Sequence, residues 1–109
     1  MAQKTIPKKI KKNVQDYLDY LKNSGMPIEK AFVFGSYAKG KQNKWSDVDL
    51  CIISPRFKNS ANLLEYLWAK KRERDTNAGI SPVGFHPKDF VNEDPLAWEV
   101  KKNGIAIFG

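Results

Sequence analysis

The sequence predicts an α/β (α+β) domain, a small mixed β-sheet flanked by helices that pack on one side of it. Apolar residues recur along the chain at helical and strand spacings in alternation, and short β-branched or aromatic runs end at glycine or proline. The composition, 41% hydrophobic and 28% charged, is typical of a globular chain. A length of 109 residues gives room for one domain, residues 1–109, and for no second substrate-binding domain.

The first half of the chain predicts one helix and two strands. Apolar residues at intervals of three and four over 7–22 indicate an amphipathic helix, which ends at Ser24-Gly25. The β-branched and aromatic run Lys30–Phe34 predicts a first strand that closes at a glycine. The run Asp47–Ile53 alternates and then becomes apolar, which predicts a second strand ended by Ser-Pro.

The second half predicts two more helices and two more strands. A helix is expected over 59–74, with Asn59 or Ser60 as its N-cap. A strand over 80–85 is expected to be irregular and to lie at an edge, because Pro82 has no N–H to donate to a neighbour. The remaining elements are a helix over 95–102 and a terminal strand over 105–108.

Two further features of the later helices carry expectations. Trp68 and Trp98 are expected to anchor their helices in the core. The basic run 70–74 is expected to form the end of a helix, where positive charge suits the helix dipole and could also receive an acidic partner.

The formal charge of +7 suggests an anionic partner, which could be a nucleic acid, a nucleotide or an acidic protein surface; a solvated lysine-rich surface is the plain alternative. Lysines outnumber arginines, which makes nucleic acid the least favoured of these, because base recognition favours arginine. Cys51 is the only cysteine, so neither an internal disulfide nor a cysteine-based zinc site is expected. With no long apolar stretch, we expect no signal peptide or membrane span and a cytoplasmic protein.

The chemistry is concentrated between the first two predicted strands. The first strand ends in Gly35-Ser36, and after ten intervening residues the second opens with Asp47-x-Asp49. Side chains two apart on a strand point to the same face, so the two carboxylates form a pair. Such a pair repels unless one group takes a proton or a cation sits between them. A pair of carboxylates with open positions for substrate oxygens suits Mg²⁺, and Mn²⁺ fits the same ligands.

The glycine and serine before this pair suggest a phosphate site. Gly35 lets the backbone approach a phosphate, and Ser36 offers a hydroxyl and an N–H. Lys39 and Lys41 lie in the same turn and are candidates for phosphate contacts. Either motif alone is usually only a turn. At this spacing, between two apolar strands, they indicate a site for nucleotidyl transfer, which requires positioning and charge neutralisation on a phosphate chain.

The pattern Gly35-Ser36-x10-Asp47-x-Asp49-Leu50 resembles the signature of the DNA polymerase β-like nucleotidyltransferase superfamily, and the whole chain resembles its minimal nucleotidyltransferase branch. The resemblance implies Mg²⁺ and ATP as nucleotide donor, and transfer of a nucleoside monophosphate to a hydroxyl. It also implies a protein partner, a small helical HEPN-type toxin adenylylated on a tyrosine, with this chain as antitoxin. By position, Gly35 and Ser36 would hold the triphosphate, and Asp47 and Asp49 would ligate the metal.

The chain departs from this family pattern at a third carboxylate, which the family carries on a following strand. Residues 79–85 contain no acid, and Ser81 stands at or near the expected position. Asp75 and Asp89 are the nearest acids before and after this segment. His86 is an alternative proton acceptor, although a surface histidine in a loop is the plainer interpretation. Two hypotheses therefore stand: a metal-dependent nucleotidyltransferase, or a binding module of the same fold that neutralises a partner without chemistry. A nucleic-acid-binding domain is a third, supported by charge alone.

Overall fold

The computed structural model describes residues 6–40, 46–56 and 60–108, and in these the helices and strands alternate largely as predicted. In chain order the elements are α1 (Lys8–Asn23), β1 (Lys30–Phe34), α2 (Ser36–Lys39), β2 (Val48–Ile53), α3 (Ser60–Ala69), α4 (Glu73–Asn77), β3 (Ile80–Phe85), a 3₁₀ turn (Pro87–Asp89), α5 (Pro95–Asn103) and β4 (Ile105–Phe108). None of the helices in these ranges is long and apolar enough to cross a membrane.

The strands form one mixed sheet in the order β3-β2-β1-β4. Strand β1 pairs antiparallel with β2 and β4, whereas β2 and β3 run parallel. The mixed sheet is therefore confirmed, and β3 lies at an edge as predicted. The carbonyl of Pro82 accepts a 2.9 Å hydrogen bond from the indole N–H of Trp68, so its partner here is a side chain instead of a neighbouring strand.

One face of the sheet packs on α1 and α3 and holds the larger core. The alternate residues of β2 that point to this face are buried, and so are the apolar rows of both helices. The hydroxyl of Tyr17 donates a 2.6 Å hydrogen bond to the carbonyl of Leu67 and joins the two helices. Burial raises the pKa of this phenol, so it stays a neutral donor. The main members of this core are Val14, Tyr17, Leu18, Leu21, Val48, Leu50, Ile52, Leu63, Leu67 and Ile80.

The opposite face of the sheet packs on α5, so the expectation of helices on one side only was wrong. Ala97 and Val100 are buried against the second set of sheet residues, which comprises Phe34, Cys51, Ile53 and Phe85. The apolar end of β2 reflects this arrangement, because a strand covered on both faces carries hydrophobic residues in a continuous run. Burial raises the pKa of the Cys51 thiol to about 12, so it packs as a neutral hydrophobic side chain.

The predicted helix over 59–74 is two helices. Helix α3 ends at Ala69, and the backbone of Arg72 is extended before α4 begins at Glu73. The carboxylate of Asp75 accepts a 2.9 Å hydrogen bond from the Arg72 N–H, which closes a capping box and starts a new helix. The run 70–74 therefore follows the end of α3, where the N–H groups of Lys70 and Lys71 still bond to carbonyls of that helix, and continues into the start of α4. The N-cap candidate Asn59 lies outside the described residues.

The two tryptophans are not core anchors, contrary to the prediction. Trp68 is 48% exposed and Trp98 is 47% exposed. Smaller side chains on α3 and α5 face the sheet instead, so each tryptophan lies on the outer side of its helix. Each ring is covered by a lysine ammonium, that of Lys71 at 4.0 Å from the ring centre of Trp68 and that of Lys102 at 4.6 Å from Trp98.

Candidate nucleotide and metal site

The two aspartates of the Asp-x-Asp motif lie at the start of β2, at the end of the sheet where β1 finishes. Asp47 is exposed one residue before the strand, and Asp49 is half-buried within it. The pKa of Asp49 is raised, first by its burial and then by the negative charge of Asp47. Both aspartates therefore lie at the same end of β2. Neither forms an ion pair with another residue in the described ranges.

Gly35 and Asp49 are in direct contact across the β1–β2 pair. The register places Phe34 opposite Asp49, so the glycine that ends β1 reaches the aspartate side chain. Gly35 has φ +71° and ψ −142°, a conformation that L side chains rarely adopt. A Cβ at this position would overlap the Oδ2 atom of Asp49 and would come within 3.1 Å of its Cγ. Glycine is thus required both by the backbone and by the carboxylate.

One helical turn, α2, follows this glycine and carries two of the predicted phosphate ligands. Ser36 begins the turn and is half-buried, while Tyr37 and Ala38 anchor it in the core. The N–H of Lys39 donates a 3.1 Å hydrogen bond to the carbonyl of Gly35, so the backbone of Lys39 is tied to the glycine. Gly40 ends the turn in the left-handed conformation. Lys41, the other predicted phosphate ligand, lies outside the described residues.

The side chain of Lys39 meets a carboxylate that the sequence analysis missed. Its Nζ lies 3.0 Å from Oε1 of Glu99, which stands on α5. The second oxygen of Glu99 accepts a hydrogen bond from the amide of Asn103, one turn further along the helix. The Asn103 hydrogen bond, and after it the Lys39 ammonium, hold the pKa of Glu99 below its ordinary value. No local signal in the sequence connects α2 with α5, because the contact depends on how α5 packs over the sheet.

Ser81 occupies the position beside Asp49 on β3. The two strands run parallel, and the register pairs Asp49 with Ser81. Paired residues on neighbouring strands project to the same face, so Ser81 and Asp49 share the α5 side. The expectation that a serine stands where a third carboxylate would be needed agrees with this register.

The other acids and the histidine considered for that role have different partners. Asp75 is 2% exposed and is bound by the guanidinium of Arg72 through both oxygens, at 3.0 and 3.1 Å. His86 follows the far end of β3, and its Nδ1 accepts a 3.1 Å hydrogen bond from the N–H of Lys88. The register pairs Phe85 with Ile53, four residues from Asp49, which is about 13 Å along the strand. His86 and the later Asp89 are therefore not proton acceptors at the aspartate pair.

The residues present suit a divalent cation held partly by its substrate. No group of three or more His, Cys, Asp or Glu side chains able to hold a metal ion occurs in the described part of the chain. Two carboxylates at the start of β2, one of them in contact with Gly35, are instead a donor set that Mg²⁺ uses when substrate oxygens complete its shell. Such a donor set beside a glycine turn suits nucleotidyl transfer.

The comparison with protein families gives the same class. The sequence profile described as nucleotidyltransferase domain matches residues 7–105. The chain therefore belongs to the nucleotidyltransferase domain family. No curated protein sequence matches it significantly.

Solved structures with the same fold are distant in sequence. A proposed nucleotidyltransferase from Sulfolobus solfataricus has a TM-score of 0.64 at 15% identity, over 90% of this chain and 78% of that one. A toxin-antitoxin complex with AMP-PNP has a TM-score of 0.60 at 17% identity, over 91% and 73% of the two chains. The toxin-antitoxin MntA-HpeT has a TM-score of 0.58 at 15% identity, over 87% and 72%, in a mutant in which two aspartates two positions apart are glutamates.

Proposed function

We propose that this protein binds a nucleoside triphosphate with Mg²⁺, or with Mn²⁺, and transfers AMP from ATP to a hydroxyl group. In this proposal Asp47 and Asp49 ligate the metal, and Gly35 and Ser36 hold the triphosphate with help from Lys39 and Lys41. The observation that carries it is the contact between the Asp49 carboxylate and Gly35. This contact puts a proposed metal ligand directly beside the turn that is proposed to hold the phosphates.

The chain's own residues contribute binding and orientation. The Asp47 and Asp49 carboxylates hold the cation, which when bound neutralises charge on the phosphate chain. The turn that begins at Gly35 and Ser36 fixes the phosphates, so that the α-phosphorus faces the acceptor. The acceptor oxygen forms a bond to this phosphorus, the bond to the bridging oxygen breaks, and pyrophosphate leaves with the electron pair. The acceptor proton passes to solvent.

The acceptor we favour is a tyrosine. The residue beside Asp49 is Ser81, which cannot take a proton as a carboxylate would. A site with a weak general base acts best on a hydroxyl that ionises easily, and a phenol with a pKa of about 10 does so far more readily than an aliphatic alcohol. This chemistry agrees with the partner implied by the family resemblance.

We further propose that the tyrosine belongs to a small helical HEPN-type toxin, which this protein neutralises as its antitoxin. Two structural neighbours are toxin-antitoxin complexes: one was solved with AMP-PNP, and the other carries substitutions at two aspartates with the spacing of Asp47 and Asp49. The net charge of +7 suits both a triphosphate and an acidic partner surface.

Transfer of label from [α-³²P]ATP to a co-purified partner tests this function. We expect the wild type to label the partner in the presence of Mg²⁺, and the Asp47→Asn/Asp49→Asn variant to lose at least a hundredfold in rate. The matched control is Asp19→Asn/Glu93→Gln, which removes two carboxylates from α1 and from the loop before α5 and should label normally. Absence of transfer by the wild type, or equal transfer by the Asp47→Asn/Asp49→Asn variant, contradicts the proposal.

A second function is supported by the serine beside Asp49. A nucleotidyltransferase fold that lacks the third carboxylate could neutralise its partner by covering it, without chemistry. This hypothesis predicts a stable complex that survives the Asp47→Asn/Asp49→Asn change with no label transferred. Loss of complex formation in that variant would count against it.

A further inference from the structure

The ammonium group of Lys39 has a partner within the protein that a bound phosphate would have to replace. Lys39 is 44% exposed and Glu99 is 31% exposed, and their charged atoms are 3.0 Å apart. The backbone N–H of Lys39 is bonded to the carbonyl of Gly35, the residue that contacts Asp49. The backbone of Lys39 therefore belongs to the candidate phosphate turn, whereas its ammonium group is paired with a carboxylate on α5.

Glu99 is itself held in place from two directions. The amide of Asn103 donates to its second oxygen, so both oxygens of the carboxylate are engaged. Helix α5 is fixed by Asp94, whose Oδ1 caps the N–H groups of Leu96 and Ala97 at 2.9 and 3.0 Å. The carboxylate that receives Lys39 therefore has two partners and stands on a helix whose Ala97 and Val100 are buried against the sheet.

We propose that Glu99 is a positioning residue that holds the Lys39 ammonium on α5 in the nucleotide-free protein and gives it up when a triphosphate binds. The inference rests on the proposed function, because the competing anion is the triphosphate of the nucleotide. While the pair is intact, the Lys39 ammonium is bound to Glu99. A triphosphate carries several negative charges against the single charge of Glu99, so it competes successfully for the lysine.

The exchange is easy because the pair is partly exposed. Ion pairs at protein surfaces contribute little to stability, and breaking one changes a linked equilibrium by about two- to fivefold. Glu99 keeps its hydrogen bond to Asn103 after the lysine leaves, so its negative charge retains a donor. Glu99 therefore lowers the affinity for the nucleotide slightly, because the Lys39–Glu99 pair must break before Lys39 can bind a phosphate.

Calorimetric titration with AMP-PNP and MgCl₂ tests the inference. We expect Glu99→Gln to bind AMP-PNP about two- to fivefold more tightly than wild type, because Lys39 no longer has a competing partner. Lys39→Met should bind it more weakly. In the Lys39→Met background, Glu99→Gln should have no effect, because the substitution acts only through the lysine.

The matched control is Glu93→Gln, which changes the net charge by the same amount in the loop just before α5. Glu93 forms no ion pair with any residue of the described segments. Equal affinities for Glu99→Gln and Glu93→Gln, or an effect of Glu99→Gln that persists in the Lys39→Met background, would overturn the inference and leave the proposed function intact. Absence of AMP-PNP binding by the wild type would instead overturn the proposed function.

Discussion

The carboxylate of Asp49 occupies the space that a side chain at position 35 would need. Any Cβ on Gly35 would overlap Oδ2 of Asp49 and lie 3.1 Å from its Cγ. Phe34, the last residue of β1, is paired with Asp49 on β2, so the glycine that follows Phe34 reaches the Asp49 side chain. The proposed metal ligand and the proposed phosphate turn are therefore in direct contact.

Gly35→Ala should lower the affinity for AMP-PNP and should also lower the free energy of unfolding, with the larger effect on the affinity. The added methyl must displace Asp49, a proposed metal ligand, so we expect AMP-PNP with Mg²⁺ to bind about tenfold more weakly. The backbone strain adds about 1–3 kcal/mol. Chemical unfolding and AMP-PNP titration measure the two effects. Gly25→Ala is the matched control, because Gly25 also has positive φ, at +92°, but has no atom within 4 Å of its Cβ position. A similar affinity in both variants would argue against the contact.

The raised pKa of Asp49 makes the metal-free protein less stable as the pH rises. A folded-state pKa above the ordinary value of 3.8 means that folding opposes ionisation of this group. At low pH Asp49 is protonated in the folded and unfolded states and does not reduce the free energy of unfolding. Its ionisation reduces that free energy as the pH rises from 3.8 through the higher folded-state pKa. Asp49→Asn removes this loss, so with EDTA its Tm should exceed that of wild type at pH 7 and approach it near pH 3. Added Mg²⁺ should raise the Tm of wild type alone.

Ser81→Asp should strengthen the catalytic site. The substitution places a third carboxylate beside Asp49, where the register puts Ser81 on the same face of the sheet. A general base contributes typically 10²–10⁴-fold, so we expect at least a tenfold increase in label transfer to the partner. Ser81→Asn is the control, because it has the same size without the charge. If both variants transfer label at the wild-type rate, the serine is not what limits the reaction.

Arg72 precedes α4 and Arg74 lies within it. We expect the two arginines to contribute very differently to the free energy of unfolding. Arg72 holds Asp75, which is 2% exposed, and also reaches Asp16 on α1 at 2.9 Å. Arg72→Met leaves the buried carboxylate without its partner and should cost about 3 kcal/mol. Arg74→Met breaks only an exposed pair with Asp16 and should cost less than about 1 kcal/mol. Urea unfolding of both variants measures the difference, and equal costs would contradict the assignment.

The strands and most helices could be predicted because their signals are local. The residue pattern that predicts a strand and the residues that end it lie within a few positions of each other, as in Lys30–Phe34 and Asp47–Ile53. The Gly35 to Asp49 spacing was informative for the same reason, since an antiparallel pair with one short connection brings its ends together. The family resemblance then supplied the roles of these residues.

What the sequence did not predict depends on packing between distant segments. The Lys39–Glu99 pair needs α5 to lie across the sheet at one particular angle. The break at Arg72 comes from a capping box in which arginine stands where a small polar residue is usual. Trp68 and Trp98 were assigned to the core from their hydrophobicity, although smaller residues on the same helices fill it.

The hydrogen bond from Trp68 to Pro82 limits how this protein can assemble with others. Proline has no N–H at the outer edge of β3, and the indole already uses its carbonyl. A strand from another chain would find neither a donor nor a free acceptor at this point, so the sheet cannot grow smoothly past it. Pairing of β3 with a strand of another chain is therefore disfavoured at this point, whereas the exposed side chains of Trp68 and Leu64 lie on the surface of α3.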